Sequence, residues 1–189
     1  MTWRKNLWYG LALLILLPVA IGARVLPWRE RYENLTGKGG REAVAAPGRT
    51  ATLNGLEWRL EGVTEGRVQE KFARPLPPRT RVAVVVTSVR PLTAAASRWF
   101  AQDGGAQCKF AVVDRAGRRW EPSFRSDLAP KTDHAASCFR LDAEYKLQPV
   151  PVGQKLTIQN AYVVPADAFP TLRVEVRLRP DPGTVRLLR

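Results

Sequence analysis

The sequence predicts a mainly β protein, an antiparallel β-sandwich preceded by one N-terminal transmembrane helix. Residues 7–23 carry no charged side chain, whereas from residue 50 onward apolar and polar residues alternate with the period of two that is typical of strands. Turn residues separate the alternating segments, and the chain contains 15 prolines. At 189 residues the chain has room for one ordinary domain and an appendage.

The first 28 residues are expected to anchor the chain. The uncharged run Leu7–Ala23 is 17 residues long. As a helix it spans about 26 Å, and Val25 and Leu26 extend it past Arg24 toward the roughly 30 Å of a hydrocarbon core. We therefore predict a membrane span at residues 7–26. The alternative is a cleaved signal peptide, which would leave a secreted protein of the same fold.

The domain boundaries follow from composition. Residues 1–28 are read as a cytoplasmic stub and anchor, residues 29–49 as a spacer because Gly and Pro recur there without period, and residues 50–189 as the sandwich. Basic residues after the span outnumber those before it, which favours an external N-terminus. However, long C-terminal domains translocate largely regardless of flanking charge, and two cysteines suit an oxidising compartment. We therefore expect residues 50–189 to be extracytoplasmic at the cell membrane.

The β segments of the domain can be placed in order. The expected strands are residues 56–60 after an Asn54–Gly55 turn, 82–86, 108–113 with a short return through Trp120, 156–162, 172–178 and 184–188. Residues 82–86 are almost continuously β-branched, which indicates a strand covered on both faces. The predicted core residues are Trp58, Val84, Phe110, Ile158 and Val176.

The two cysteines are predicted to form a disulfide. Cys108 lies on the same alternate set as Phe110 and Val112, and Cys138 lies beside Phe139 after a polar loop. Both side chains can therefore face inward, and a bridge across about 30 residues would stabilise the fold by roughly 3 to 4 kcal/mol in the chain-entropy model. Two separate buried thiols are the alternative.

Three segments form a recognisable pattern: the strand–turn–strand 110–122, the Pro151–Gln154 lead into a strand, and the Val164–Ala168 stop. Together they resemble the DUF4352-type extracellular domains of bacterial lipoproteins and membrane-anchored proteins. The resemblance covers roughly residues 50–188 and implies an Ig-like antiparallel β-sandwich without an agreed biochemical activity. The chain departs from the family at residues 91–105, which replace an Asn-containing turn.

The residues that usually carry catalysis or hold cofactors are sparse. His134 is the one histidine, the two cysteines do not have zinc-site spacing, and Asp103–Gly104–Gly105 lacks the lysine of a phosphate loop. The sequence therefore predicts a protein that is not an enzyme and that has no catalytic, metal or cofactor residues.

The net charge of +13 predicts an anionic partner. Arg173, Arg177 and Arg179 fall on the polar side of one strand, and Arg98 and Trp99 lie in the segment that departs from the family. We expect these residues to contact an envelope protein or an anionic surface. Alternatively, the arginines form a solvated face and Trp99 caps the core. A basic nucleic-acid-binding module is the other function considered, but the sequence has none of its motifs, and no nucleic-acid partner is expected.

Deleting residues 1–28 is expected to give a soluble, folded domain, because these residues carry the membrane span and no part of the sandwich core. Native protein should remain in the membrane fraction with an intact N-terminus. N-terminal sequencing that begins near Ala23 would instead demonstrate cleavage.

Overall fold

The structure is a computed structural model that describes residues 40–68, 75–101, 108–179 and 183–189, together with Leu14 and Leu16. Residues Arg41–Arg189 form one compact unit. Leu14 and Leu16 are helical, and the rest of the predicted span at residues 7–26 lies outside the described residues. None of the described residues belongs to a helix that is long and apolar enough to cross a membrane.

The compact unit is a sandwich of two sheets with an additional hairpin. Its strands are β1 Arg41–Ala45, β2 Thr50–Leu53, β3 Leu56–Gly66, β4 Thr80–Pro91, β5 Cys108–Val113, β6 Arg119–Trp120, β7 Arg140–Leu141, β8 Leu147–Gln148, β9 Leu156–Pro165, β10 Arg173–Leu178 and β11 Gly183–Leu187. Sheet A has the order β1-β11-β10-β5-β6, sheet B has the order β2-β3-β4-β9, and β7 pairs with β8. A helix α1, Ala94–Trp99, follows β4, and a 3-10 turn, Phe169–Thr171, precedes β10.

The first strand corrects two expectations. β1 lies within the predicted spacer, residues 29–49, and pairs with β11 in parallel, so the compact unit begins at Arg41 and the sheets are not purely antiparallel. Polar and apolar residues do not alternate in β1, and Val44 is 54 % exposed at the sheet edge, so the sequence pattern did not indicate a strand here. After the turn Ala46–Arg49, the chain crosses to sheet B as β2.

The core lies between the two sheets. Trp58 of sheet B is completely buried, and its ring meets Phe110 of sheet A edge to face, with 6.3 Å between centroids. Ile158 and Val176 are also fully buried in this cluster. Four of the five predicted core residues therefore occupy the inter-sheet core as expected.

Val84, the fifth predicted core residue, is buried on the opposite face of sheet B. It packs with Val82, Ala161 and Leu128 in a second apolar cluster under the loop of residues 121–130. The prediction that β4 is covered on both faces is confirmed, but the covering element is this loop. Gly66 permits its close approach, because a Cβ there would lie 2.7 Å from the Leu128 carbonyl oxygen.

The same connection protects the β9 edge of sheet B. The Ser123 amide donates to the Ala161 carbonyl at 2.8 Å, and Ala135 exchanges hydrogen bonds with Thr157 and Gln159. Cys138 then joins Cys108 in a disulfide with the Cα atoms 5.9 Å apart, which confirms the predicted pairing. The long connection is therefore fixed to both sheets.

Two hairpins use the same three-residue turn. In the β5–β6 turn, the amide of Gly117 donates to the carbonyl of Asp114, and in the β7–β8 turn the amide of Tyr145 donates to the carbonyl of Asp142, each at 3.1 Å. Gly117 has φ +83° and Tyr145 has φ +60°. This left-handed position favours glycine, and a bulky residue there is strained. The Tyr145 side chain packs on little, since the residue is 84 % exposed.

Replacing Tyr145 with Gly is expected to stabilise the protein by about 0.5 to 1 kcal/mol, because relief of the left-handed strain exceeds the added unfolded-state entropy. The Gly117→Ala variant provides the opposite test. No atom lies within 4 Å of the added Cβ, so the expected loss of about 1 kcal/mol is purely conformational. Urea denaturation measures both changes. A destabilised Tyr145→Gly variant would show that the exposed ring makes a stabilising contact.

Candidate functional site

The outer face of sheet A collects basic side chains from four strands. Arg173, Glu175 and Arg177 project from β10 on the side opposite the buried Val174 and Val176. We define the arginine face as Lys109, Arg119, Arg173, Arg177 and Arg186. Register places Lys109 beside Arg177, Arg186 beside Glu175, and Arg173 and Arg119 on either side of Val113.

Glu175 lies at the centre of this face. It is only 7 % exposed, and its two oxygens meet Arg119 at 2.5 Å and Arg186 at 3.4 Å. Arg186 also pairs with Glu42 at 2.6 Å. Ala111, which faces outward beside Glu175, is completely buried, so longer neighbouring side chains cover it. One buried carboxylate therefore accepts a hydrogen bond from Arg119 and lies within ion-pair distance of Arg186 over the middle of the sheet.

Arg177, like Arg173 and Lys109, forms no ion pair with the described residues. Within the part of the chain that the structure describes, no carboxylate lies within 4 Å of it, and its buried Nε has no hydrogen-bond acceptor. Burial lowers the pKa of Arg177, and nearby Arg119 and Arg186 lower it further, against the opposing effect of Glu175 and Glu121. The folded chain thus leaves uncompensated positive charge here.

Arg173 repeats this arrangement at the other end of β10. Its Nε is also buried without an acceptor, and no ion pair is formed with the described residues. Arg119, two strands away in the same row, is committed to Glu175. Both predicted arginines within β10 therefore have donor capacity that the described chain does not use.

The outer face of sheet B provides a useful contrast. A groove of about 360 Å³ is lined by Thr50, Glu57, Arg59, Glu61, Ser88, Arg90, Gly153 and Lys155. Each of its cations has a carboxylate partner: Arg90 meets Glu57 at 2.7 Å, and Lys155 and Arg59 meet Glu61 at 3.3 and 3.8 Å. A hydrogen bond from Ser88 and the charge of Lys155 lower the pKa of Glu61 despite partial burial. Every cation of this groove therefore has a carboxylate within 4 Å, and Arg59 and Lys155 share Glu61.

The remaining predicted contact residues lie elsewhere. Arg179 is exposed in the turn after β10, and its carbonyl accepts a 2.7 Å hydrogen bond from the Trp99 indole. Trp99 is half-buried against the core and packs edge to face on the fully buried Phe100. Trp99 therefore closes the end of the sandwich, while Arg98 stays exposed on α1. The structure does not bring these three into the arginine face.

The sequence reasoning missed two members of the arginine face, Lys109 and Arg119, and the carboxylate at its centre, Glu175. Lys109 could have been found, because it alternates with Cys108 and Phe110 in a predicted strand. Arg119 carried no such signal, since its place depends on the β5–β6 register. In the sequence Glu175 is an ordinary polar residue of a strand, and only its burial between Arg119 and Arg186 shows that it is the central carboxylate of this face.

No metal site is apparent in the part of the chain that the structure describes. No three His, Cys, Asp or Glu side chains of those residues lie together in an arrangement that could hold an ion. His134 is exposed in the loop before β7, and its amide contacts the Thr132 hydroxyl. The chemistry of the site is therefore that of charge and hydrogen-bond donation.

Comparisons with known proteins describe a similar shape only. No protein-family model and no curated protein matches the chain. An uncharacterised β-sandwich protein from Clostridium difficile 630 is similar over 79 % of this chain and 95 % of its own, with 6 % identity and a TM-score of 0.40. A conserved hypothetical protein from Bacillus anthracis is similar over 69 % and 87 %, with 12 % identity and a TM-score of 0.42.

Replacing Glu175 with Gln is expected to lower the free energy of unfolding by about 1 to 3 kcal/mol, because Arg119 and Arg186 lose their shared counter-charge. The loss should shrink at high salt, which screens the remaining repulsion. Glu144→Gln is the matched control. Its pair with Lys146 is fully solvated, so a change within about 0.5 kcal/mol is expected. Equal changes in the free energy of unfolding for the two variants would show that Glu175 does not organise the arginine face.

Proposed function

We propose that this chain is a non-enzymatic, single-pass membrane protein whose Ig-like domain lies outside the cytoplasm and binds an anionic surface or polymer through the arginine face. The observation that carries the proposal is Arg177, which lies near Arg119 and Arg186 and forms no ion pair with the described residues. In the sheet B groove every cation has a carboxylate within 4 Å, so that groove gives a weaker reason to bind a charged partner.

Uncompensated charge has an energetic cost on this face, because nearby Arg119 and Arg186 repel Arg177. The Nε atom of Arg177 is buried and out of reach of a ligand. An anion against the rest of the half-buried guanidinium would reduce the repulsion. Because the sheet already fixes the backbone, little ordering is needed on binding.

The proposed location is supported by other observations. The disulfide between Cys108 and Cys138 suits an oxidising compartment. The uncharged run of residues 7–23 suits a membrane anchor, and the resemblance to DUF4352-type domains suits an Ig-like sandwich carried on such an anchor. An outward domain would rarely meet nucleic acid, which makes a basic nucleic-acid-binding module the weaker alternative.

An envelope protein is the second candidate partner, and the β7–β8 hairpin favours it. Tyr145 presents an exposed ring from a strained position, and three hydrogen bonds to the Asp142 carboxylate, from the amides of Glu144 and Lys146 and from the Gln148 side chain, hold the turn. An exposed aromatic side chain on a well-held turn is a common anchor in protein interfaces. This hairpin would recognise an apolar pocket, not an anion.

Replacing Arg177 with Gln is expected to weaken binding of dextran sulfate at low salt by about tenfold, because a charge-assisted contact is lost. The free energy of unfolding should stay level or rise, since repulsion with Arg119 and Arg186 is removed. The full-length chain reconstituted in phosphatidylcholine nanodiscs is suitable for both measurements.

Arg59→Gln is the control for that experiment. It removes the same charge from the outer face of the other sheet, and binding should fall by about twofold or less, as for a change in net charge alone. Equal weakening by the two substitutions would mean that the polyanion responds to total charge, and the arginine face would lose its assigned role.

A further inference from the structure

The geometry of β10 points to an unbranched phosphodiester polymer that lies along the strand and is held at two points, around Arg173 and around Arg177. This inference rests on the proposed function and specifies the ligand of the arginine face.

The first step is the separation of the two unused arginines. Arg173 and Arg177 are four residues apart on one face of a regular strand, so their Cα atoms are separated by about 13 Å. Both side chains are half-buried, and neither forms an ion pair with the described residues. Each can hold a separate anionic group, and a chain with repeated negative groups can occupy both positions at once.

The second step is the carboxylate between them. Glu175 projects from the same face midway between Arg173 and Arg177, and Arg119 and Arg186 neutralise it from either side. It therefore does not repel an anionic chain that passes over it, and Arg119 and Arg186 are held in place beneath that chain. The uncompensated positive charge along β10 therefore lies at its two ends, at Arg173 and Arg177.

The third step concerns the kind of anion. Arg177 is flanked in register by Lys109 on β5 and by the nearly buried Thr184 on β11. Donors from three adjacent strands suit the tetrahedral oxygens of a phosphate group better than the two coplanar oxygens of a carboxylate. A guanidinium also binds phosphate in bidentate fashion.

The fourth step separates a soluble polymer from a lipid surface. Among the residues described on this outer face, Val44 is the large apolar side chain that is well exposed, at 54 %. A surface that docks on a bilayer usually presents several apolar side chains to the headgroup boundary. The arginine face lacks such a rim, so a polymer is the better occupant.

The test uses the full-length chain in phosphatidylcholine nanodiscs with three soluble probes: poly(glycerol phosphate), glycerol 1-phosphate, and poly-L-glutamate of matched charge. Poly(glycerol phosphate) should bind at least about a hundredfold more tightly than the monomer, because two points are engaged. Arg173→Gln and Arg177→Gln should each weaken polymer binding by about tenfold and lower the slope of log affinity against log salt by about one.

The outcomes separate this inference from the proposed function. If Arg177→Gln weakens polymer binding and Arg173→Gln does not, the ligand is held at one point, and the inference fails while the proposed function stands. The inference also fails, and the proposed function stands, if poly-L-glutamate binds as tightly as poly(glycerol phosphate) with the same dependence on Arg173 and Arg177. Equally tight binding to phosphatidylglycerol vesicles in co-flotation, with that dependence, has the same meaning. If Arg59→Gln weakens the polymer as much as Arg177→Gln does, the arginine face is not the site and both proposals fail.

Discussion

The packing of Trp58 between the two sheets is the interaction on which the rest of the structure depends. Its indole is completely buried on β3 and meets Phe110 on β5, so it joins the central strands of sheet B to those of sheet A. Burial of an aromatic side chain of this size contributes about 4 to 6 kcal/mol. Because the inner faces are fixed in this way, the outward residues of β10, β5 and β11 are fixed as well. The position of the arginine face on the outside of sheet A therefore follows from the packing of the core.

Charge on the two outer faces is handled differently. On sheet B every cation of the groove lies within 4 Å of a carboxylate, whereas on sheet A Arg173 and Arg177 form no ion pair with the described residues. Local rules of stability would favour pairing on both faces. Proteins depart from such rules at functional sites, where the stability is recovered elsewhere. The disulfide and the second apolar cluster under Leu128 are sources of that stability here.

Tyr145 is a second residue whose presence local stability does not explain. The chain makes the same turn twice, with Gly117 in one copy and Tyr145 in the other. The first copy shows which residue the backbone geometry favours. The second keeps an aromatic ring that contributes little burial to the described structure, so local stability does not account for its presence.

The sequence by itself determined the alternation of the long strands, most of the core and the shared face of Arg173 and Arg177, because a strand places alternate side chains on opposite sides whatever it pairs with. It also indicated the disulfide. Tertiary structure alone decided that β1 joins sheet A, that Val84 packs outward beneath Leu128, and that Arg119 and Arg186 converge on Glu175. These features depend on register and on contacts between residues distant in the chain, which periodicity does not encode. For the same reason, the unpaired charge of Arg177 became visible only when its neighbours from other strands were in place.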